Sequence, residues 1–302
     1  MCSCTTPWVS LDFNPSDPSN SVSVIIPVYN GVRFIAETLK SVLAQTAPPA
    51  EVIVVNDGST DNTVSVVEEF GDSVTLISTP NGGECAARDS GASRAKGNWL
   101  AFCDADDLWL PTKLEKQLRL ANEVPEIHCV LTDYAEFTDG VVSKRTHFSW
   151  APVDFWLPEQ HCAGFVVRES ITGKLTTFQP GIASASMVRR DFYQSIGGSD
   201  VAVTRTRCAD TCLHFRCLSA VPFGVVPEVL MHYRRHPDAL SADRLKQMRD
   251  AIFVWNHIIA NYPQAQPYRA ELLQGLVAMR KEIKENALYR RRQKLKRLLG
   301  LR

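Results

Sequence analysis

Four short apolar, β-branched runs, each followed by turn residues and then by a helix-patterned or acidic segment, constrain this chain more than any other feature. The first is VSVII at 22–26, stopped by Pro27. After Asn30-Gly31, the positions Val32, Ile35, Ala36, Leu39, Val42 and Leu43 fall on one face of a helix, which Ala47-Pro48-Pro49 ends. EVIVV at 51–55 is the second predicted strand, turned by Asn56-Asp57-Gly58-Ser59, with Ser59 expected to cap a helix carrying Val64 and Val67. Residues 74–77 form the third, and Asn81-Gly82-Gly83 turns into a small-residue helix over 84–96. The fourth, 99–103, runs directly into Asp104-Ala105-Asp106-Asp107. Strands and helices alternating at these short intervals imply an α/β fold with parallel strands and crossover helices. Ligands bind such sheets at the carboxyl ends of the strands. The polar stretches 27–30, 56–61 and 104–107 all sit at that end, distant in sequence yet expected along one sheet edge.

The second half is less regular. A strand is expected over 130–139, a helix ending at Gly197-Gly198, another helix over 206–218, and a strand over 225–233. Leu245, Met248, Ile252, Trp255 and Ile259 then define an amphipathic helix in a C-terminal helical extension. This divides the chain into a leader (1–20), a main domain (21–241, in halves 21–120 and 121–241) and the extension (242–302). The zero formal net charge argues against bulk attraction to nucleic acid. No run of eighteen apolar residues suggests a membrane span, and residues 1–20 lack the basic and apolar parts of a secretory signal. Nine irregularly spaced cysteines without a CxxC pair are expected to be reduced thiols, in a cytoplasmic setting. The basic tail, with Arg290-Arg291-Arg292 beside Leu298, Leu299 and Leu301, reads either as a solvated helix or as a peripheral contact with an anionic inner membrane surface.

Three carboxylates within four residues repel one another unless a positive group sits among them. Mg²⁺ or Mn²⁺, held by Asp104 and Asp106, is one solution; a solvated acidic turn, with Asp107 capping the next helix, is the other. Asp57 can accept hydrogen bonds from a nucleobase or ribose, or close an Asx-turn. Arg88 can meet a nucleotide phosphate or lie on the surface, and Tyr29 and Asn30 can shape a pocket or simply a turn. His214, four residues after Asp210, can orient that acid or be half-buried without a role. Trp150, Phe155 and Trp156 can stack on sugars or plug a core edge.

PVYNG at 27–31, EVIVVNDGSTDNT at 51–63 and ARDSGASRAKGNWLAFCDADDLWLPTKLEKQ at 87–117 resemble the family 2 inverting glycosyltransferases of GT-A fold. IGGSD at 196–200 and PEVLMHYRRHPDALS at 227–241 extend the resemblance over roughly 21–241. It implies a mostly parallel central sheet flanked by helices, and a nucleotide-diphosphate sugar, UDP-sugar foremost, at the sheet edge. Asp57 would hold the base, with Pro27, Tyr29, Asn30 and Arg88 shaping the nucleotide pocket. Asp104 would reach the ribose or metal, Asp106 would ligate the metal, and Arg234 and His236 would close on the diphosphate or metal. Asp210 would be the catalytic base for a glycan, lipid-linked or small-molecule hydroxyl acceptor, as in surface polysaccharide or glycolipid synthesis. The family's acidic pair reads Ala209-Asp210 here, the Gly-Gly motif ends Ser199-Asp200-Val201, and the following helix lacks the common tryptophan. The acceptor side therefore departs further than the donor side. The competing classes are a non-catalytic nucleotide-sugar binder and a sugar nucleotidyltransferase; the latter needs a basic Gly-rich loop that 27–31 lacks.

Overall fold

Strand β1 (Val22–Val28) shows why the first run is apolar without interruption. Ile25 packs into the apolar layer on one face of the sheet, while Val24 and Ile26 pack into the layer on the other, so neither set of alternate positions meets water. Strands β2 (Glu51–Asp57), β3 (Thr75–Thr79) and β4 (Trp99–Phe102) join it in parallel, β2 and β4 on either side of β1 and β3 outside β2. Helices α1 (Ile35–Leu43), α2 (Thr63–Glu68) and α3 (Glu84–Arg94) make the crossovers. The computed structural model describes Asn14 and residues 17–298, excluding the side chains of 241 and 286–298.

Beyond β4 come the short β5 (Leu108–Trp109), α4 (Lys113–Glu123), β6 (Cys129–Thr138) and β7 (Val141–Thr146). β8 (Pro158–His161), β9 (Gly164–Val167), β10 (Ser186–Arg189) and α5 (Arg190–Ser195) follow, then α6 (Asp210–Ser219) and β11 (Phe223–Arg234). The sheet order is β3-β2-β1-β4-β10-β6-β11-β9-β8. β10 is antiparallel to both β4 and β6, so β3, β2, β1, β4, β6 and β11 all point the same way. This is the expected mostly parallel central sheet flanked by helices, with β7, β8 and β9 as antiparallel additions.

The C-terminal extension is α7 (Arg244–Asn261) and α8 (Arg269–Leu298). The buried face of α7 is Val254, Trp255, Ile258 and Ile259, with Trp255 set edge-on to Phe215 of α6 at 5.8 Å. Leu245 and Met248, expected on that face, are only partly buried, because the first turns of α7 overhang a cleft that Met248 lines. Asp200 fastens the joint by accepting from His257 Nε2 at 2.7 Å and Tyr262 Oη at 2.6 Å. None of the helices among the described residues is long and apolar enough to cross a membrane. The seven cysteines from Cys85 to Cys217 are free thiols. Cys2, Cys4, most of the leader, Leu299 and Leu301 lie outside the described residues, as do the tail side chains from 286 onward.

Candidate active site

The carboxyl ends of β1, β2 and β4 open into one cleft of about 1230 Å³. Pro27, Tyr29, Asn30, Asp57, Arg88, Asp104, Asp106, Asp210 and His236 all line it. The strand-end stretches at 27–30, 56–61 and 104–107 therefore contribute to one cleft, as their placement at the strand ends requires. Arg234 is the exception and stands behind the cleft wall.

Asp57, the last residue of β2, is buried, and its two oxygens accept from Gly82 N at 2.7 Å and Gly83 N at 2.9 Å. Gly83 has φ +85°, and a Cβ there would stand 2.5 Å from Thr204 Oγ1. The loop is thus pressed against the segment that leads to Asp210. Asn30 lines the cleft and also ties two loops together. Its Oδ1 accepts from Thr60 N at 2.7 Å, and its own N–H donates to Ser59 Oγ. Ser59 consequently does not cap α2, whose N-cap is Asn62. Tyr29 is 53 % exposed, an aromatic face at the rim of the cleft.

At the acidic cluster, each carboxylate has a separate partner. Asp104 Oδ1 accepts from Arg88 Nη2 at 2.8 Å, and Asp106 Oδ2 lies 3.0 Å from His236 Nε2. Asp107 is fully buried; its Oδ2 accepts from Ser184 Oγ at 2.5 Å and its Oδ1 from Arg234 N at 3.0 Å. It is neither a solvated turn residue nor a helix cap, and burial together with its two acidic neighbours raises its pKa well above the usual range. Burial and Asp104 also raise that of Asp106, against the pull of His236. Of the three expected metal ligands, the structure pairs Asp106 with His236 and turns Asp104 towards the buried guanidinium of Arg88. A carboxylate oxygen and an imidazole nitrogen, backed by a second carboxylate that gains from any added positive charge, suit a divalent cation.

Arg234 acts on the loop itself. Its Nε donates to Asp106 O at 2.7 Å and its Nη2 to Glu37 at 2.6 Å, with the guanidinium 4.7 Å from the Phe34 ring centre. Arg234→Ala is therefore expected to cost about 1–3 kcal/mol by leaving these groups unpaired. The lower thermal midpoint should be accompanied by weaker cation binding; an unchanged midpoint would deny it the loop-holding role.

Arg88 is 2 % exposed and pairs with Glu84 as well as Asp104. Burial would lower its pKa, but Glu84, Asp104 and Asp210 together raise it well above the usual value, so it stays charged. Asp210 opens α6, which begins four residues later than expected, the residues 206–209 forming a bend and a turn instead. Burial pushes Asp210 up to about 6, with Asp104 adding to the rise and Arg88 and the Ala183 backbone opposing it. His214 Nδ1 lies 4.0 Å from Asp210 Oδ2. Ser186 Oγ donates to Ala183 O, so its lone pairs face His214 Nε2, which then carries the imidazole hydrogen. Burial, and then Arg88, lower His214 to about 4, leaving it neutral beside Asp210.

Glu84 was not among the expected site residues. It lines the cleft, and burial raises it to about 7, with Arg88 opposing and Asp104 and Asp210 adding. Its only sequence signal was the i,i+4 spacing from Arg88. Ser184, which also accepts from Asp104 N at 2.9 Å, gave none. Phe155 and Trp156 are packed edge-on at 4.9 Å in the core, whereas Trp150 is exposed beneath Arg145.

The chain is 30% identical over 241 residues to the uncharacterized glycosyltransferase RT0329 of Rickettsia typhi, covering 78% of this chain and 70% of that one. The structure superposes on S. aureus TarS 1-349 in complex with UDP-GlcNAc with a TM-score of 0.61 at 19% identity, over 84% of this chain and 72% of that one. It matches the mannosyltransferase PcManGT from Pyrobaculum calidifontis, in complex with GDP-Man and Mn²⁺, with a TM-score of 0.55 at 21% identity, over 97% and 84%. Against longer TarS it spans 43% of that chain. The fold is GT-A. The glycosyl transferase family 2 model matches residues 23–196, and the chain belongs to that family.

Proposed function

We propose that this glycosyltransferase moves a sugar from a nucleotide-diphosphate sugar, a UDP-sugar in the first instance, to an acceptor hydroxyl with inversion. The observation that carries the reading is the position of Arg88, which joins the donor-side Asp104 to the neighbourhood of Asp210 in one cleft. The fold likeness to proteins solved with UDP-GlcNAc and with GDP-Man and Mn²⁺ supports it.

Asp57, at the carboxyl end of β2 and fixed by two amides, presents its remaining lone pairs to the base. Tyr29 and Pro27 form the wall beside it. Asp106 and His236 would hold Mn²⁺ or Mg²⁺, with Asp104 as the third ligand on release from Arg88. Bound there, the cation supplies charge neutralisation for the leaving diphosphate. Asp210 accepts the proton of the acceptor hydroxyl as that oxygen bonds to the anomeric carbon. The bond to the diphosphate oxygen breaks on the opposite face, and its electron pair leaves with the diphosphate. A single base serving one displacement inverts the anomeric centre. We place the acceptor among glycans, lipid-linked saccharides and small hydroxyl compounds of surface-polymer or glycolipid synthesis. The basic tail is our candidate for contact with an anionic inner leaflet.

Nucleoside diphosphate release should be measured across UDP- and GDP-sugars with Mn²⁺ and a panel of hydroxyl acceptors, with product configuration read by NMR. Acceptor-dependent release with an inverted product is expected. Donor binding without consumption by any acceptor would leave a nucleotide-sugar binder, and retained configuration would overturn the one-base mechanism.

A further inference from the structure

At the joint between the C-terminal extension and the rest of the chain, three ligand-bearing side chains meet from three separate elements. Asp200 follows the Gly197-Gly198 turn, Cys212 lies on α6 two residues past Asp210, and His257 lies on α7. A carboxylate oxygen, the thiol sulfur and a ring nitrogen of these three all lie within 4.8 Å of one another. None of the three lines the cleft. Neighbouring groups hold the set in place. Asp200 Oδ1 accepts from Ala202 N at 2.9 Å, leaving Oδ2 to His257 Nε2 at 2.7 Å. Asn261 Nδ2 lies 3.1 Å from His257 Nδ1, so the far side of the ring is oriented as well. Tyr262 Oη donates to the same Asp200 oxygen at 2.6 Å and is within hydrogen-bonding reach of the Cys212 thiol. Cys212 is fully buried, whereas Asp200 and His257 keep 16% and 21% of their side chains exposed, so a small ion reaches the cluster from solvent.

We propose that Asp200, Cys212 and His257 form a zinc site, separate from the cation site of the cleft, that fastens α7 to α6. One sulfur, one nitrogen and one oxygen suit a borderline-soft ion, whereas Mg²⁺ and Mn²⁺ favour oxygen over a thiolate. Zn–S bonds of about 2.3 Å and Zn–N bonds of about 2.0–2.1 Å set tetrahedral ligand atoms ~3.5 Å apart. The present spacing therefore needs shifts of about an ångström. On binding, Zn²⁺ takes the place of the hydrogen between Asp200 and His257. The imidazole proton is then carried on Nδ1, and the exposed Asn261 turns its amide oxygen to receive it. The Cys212 thiol gives its proton to solvent and bonds through sulfur. Water fills the fourth position on the exposed side. The ion thereby ties the helix that starts at Asp210 to the helix that overhangs the cleft.

The test titrates the full-length, metal-free chain with Co²⁺, a coloured substitute for Zn²⁺. Wild type is expected to develop a near-ultraviolet thiolate-to-cobalt band and the intense visible bands of four-coordinate cobalt. Both should saturate at one ion per chain, disappear on adding Zn²⁺ and survive excess Mg²⁺. Cys212→Ser should lose the thiolate band, and His257→Gln should bind Co²⁺ about 100-fold more weakly. Asp106→Ala, which alters only the cleft, should keep the wild-type spectrum. In that background, Zn²⁺ at about a hundred times its Kd should raise the folded-to-unfolded ratio about 100-fold, read as a higher thermal midpoint. Adding Cys212→Ser should remove that rise. No thiolate band in wild type, or the same band in Cys212→Ser, would overturn the site and leave a hydrogen-bonded joint. Should Cys212→Ser fail to fold, undiminished Co²⁺ affinity in His257→Gln overturns it equally.

Discussion

Asp210→Asn is expected to lower kcat by about 10²–10⁴-fold, the usual worth of a general base, with donor affinity little changed. Asparagine keeps the shape of the side chain but cannot take a proton. The pH profile supplies an independent readout. Asp210 is raised to about 6, chiefly by burial, and only its unprotonated form is a base. In wild type kcat/KM should therefore climb tenfold per pH unit up to about 6 and level off above it. His214, lowered to about 4 by burial and then Arg88, is already neutral throughout that range and cannot be the source of this limb. Removing the charge that opposes the rise, as in Arg88→Met, should move the limb to higher pH. Near-normal turnover in Asp210→Asn with a limb at about 7 would transfer the role of base to Glu84, the other raised carboxylate of the cleft.

The first half was legible because its strands are buried on both faces. β1, β2 and β4 read as unbroken apolar runs, and their strand-end polar stretches had nowhere to go but one sheet edge. What the sequence could not show was which partner each polar side chain would take. Arg234 reaches back 128 positions to the carbonyl of Asp106. Asn30 meets Thr60 across two loops, and Ser59, expected to cap a helix, accepts from Asn30 N–H. Those are long-range choices among equally polar groups, and no local pattern encodes them. The start of α6 was misplaced for a related reason. The residues before Asp210 have helix-compatible identities, yet Arg207 is drawn to Asp250 of α7 and Thr204 to Cys85 N, and these contacts hold the segment out of the helix. Glu84 is an ordinary glutamate in the first turn of a helix, and only its pairing with the buried Arg88 makes it notable.

Asp106→Ala should abolish the strengthening of donor binding by Mn²⁺, a loss of about 100-fold, at the top of the 10–100-fold range that outer-shell partners of a metal already show. Asp106 and His236 are the only pair in the acidic cluster whose ligand atoms already meet, at 3.0 Å, while Asp104 is occupied by Arg88 and Asp107 by Ser184 and Arg234 N. Removing Asp106 leaves imidazole without its anionic neighbour, and leaves Asp104 with the arginine as its stronger attraction. The carboxylate matters most because a hard cation prefers oxygen, and the histidine favours Mn²⁺ over Mg²⁺ because it adds a nitrogen. His236→Ala should accordingly narrow the preference for Mn²⁺ more than it weakens binding overall. Calorimetric titration of UDP into each variant, with Mn²⁺, with Mg²⁺ and with EDTA, reads both effects. Asp57 makes no use of the cation, so Asp57→Ala should weaken UDP by a similar factor in all three conditions. Should wild type bind UDP equally well in EDTA, neither Asp106 nor His236 is a metal ligand for the donor. In that case the cluster's repulsion is relieved by Arg88 alone.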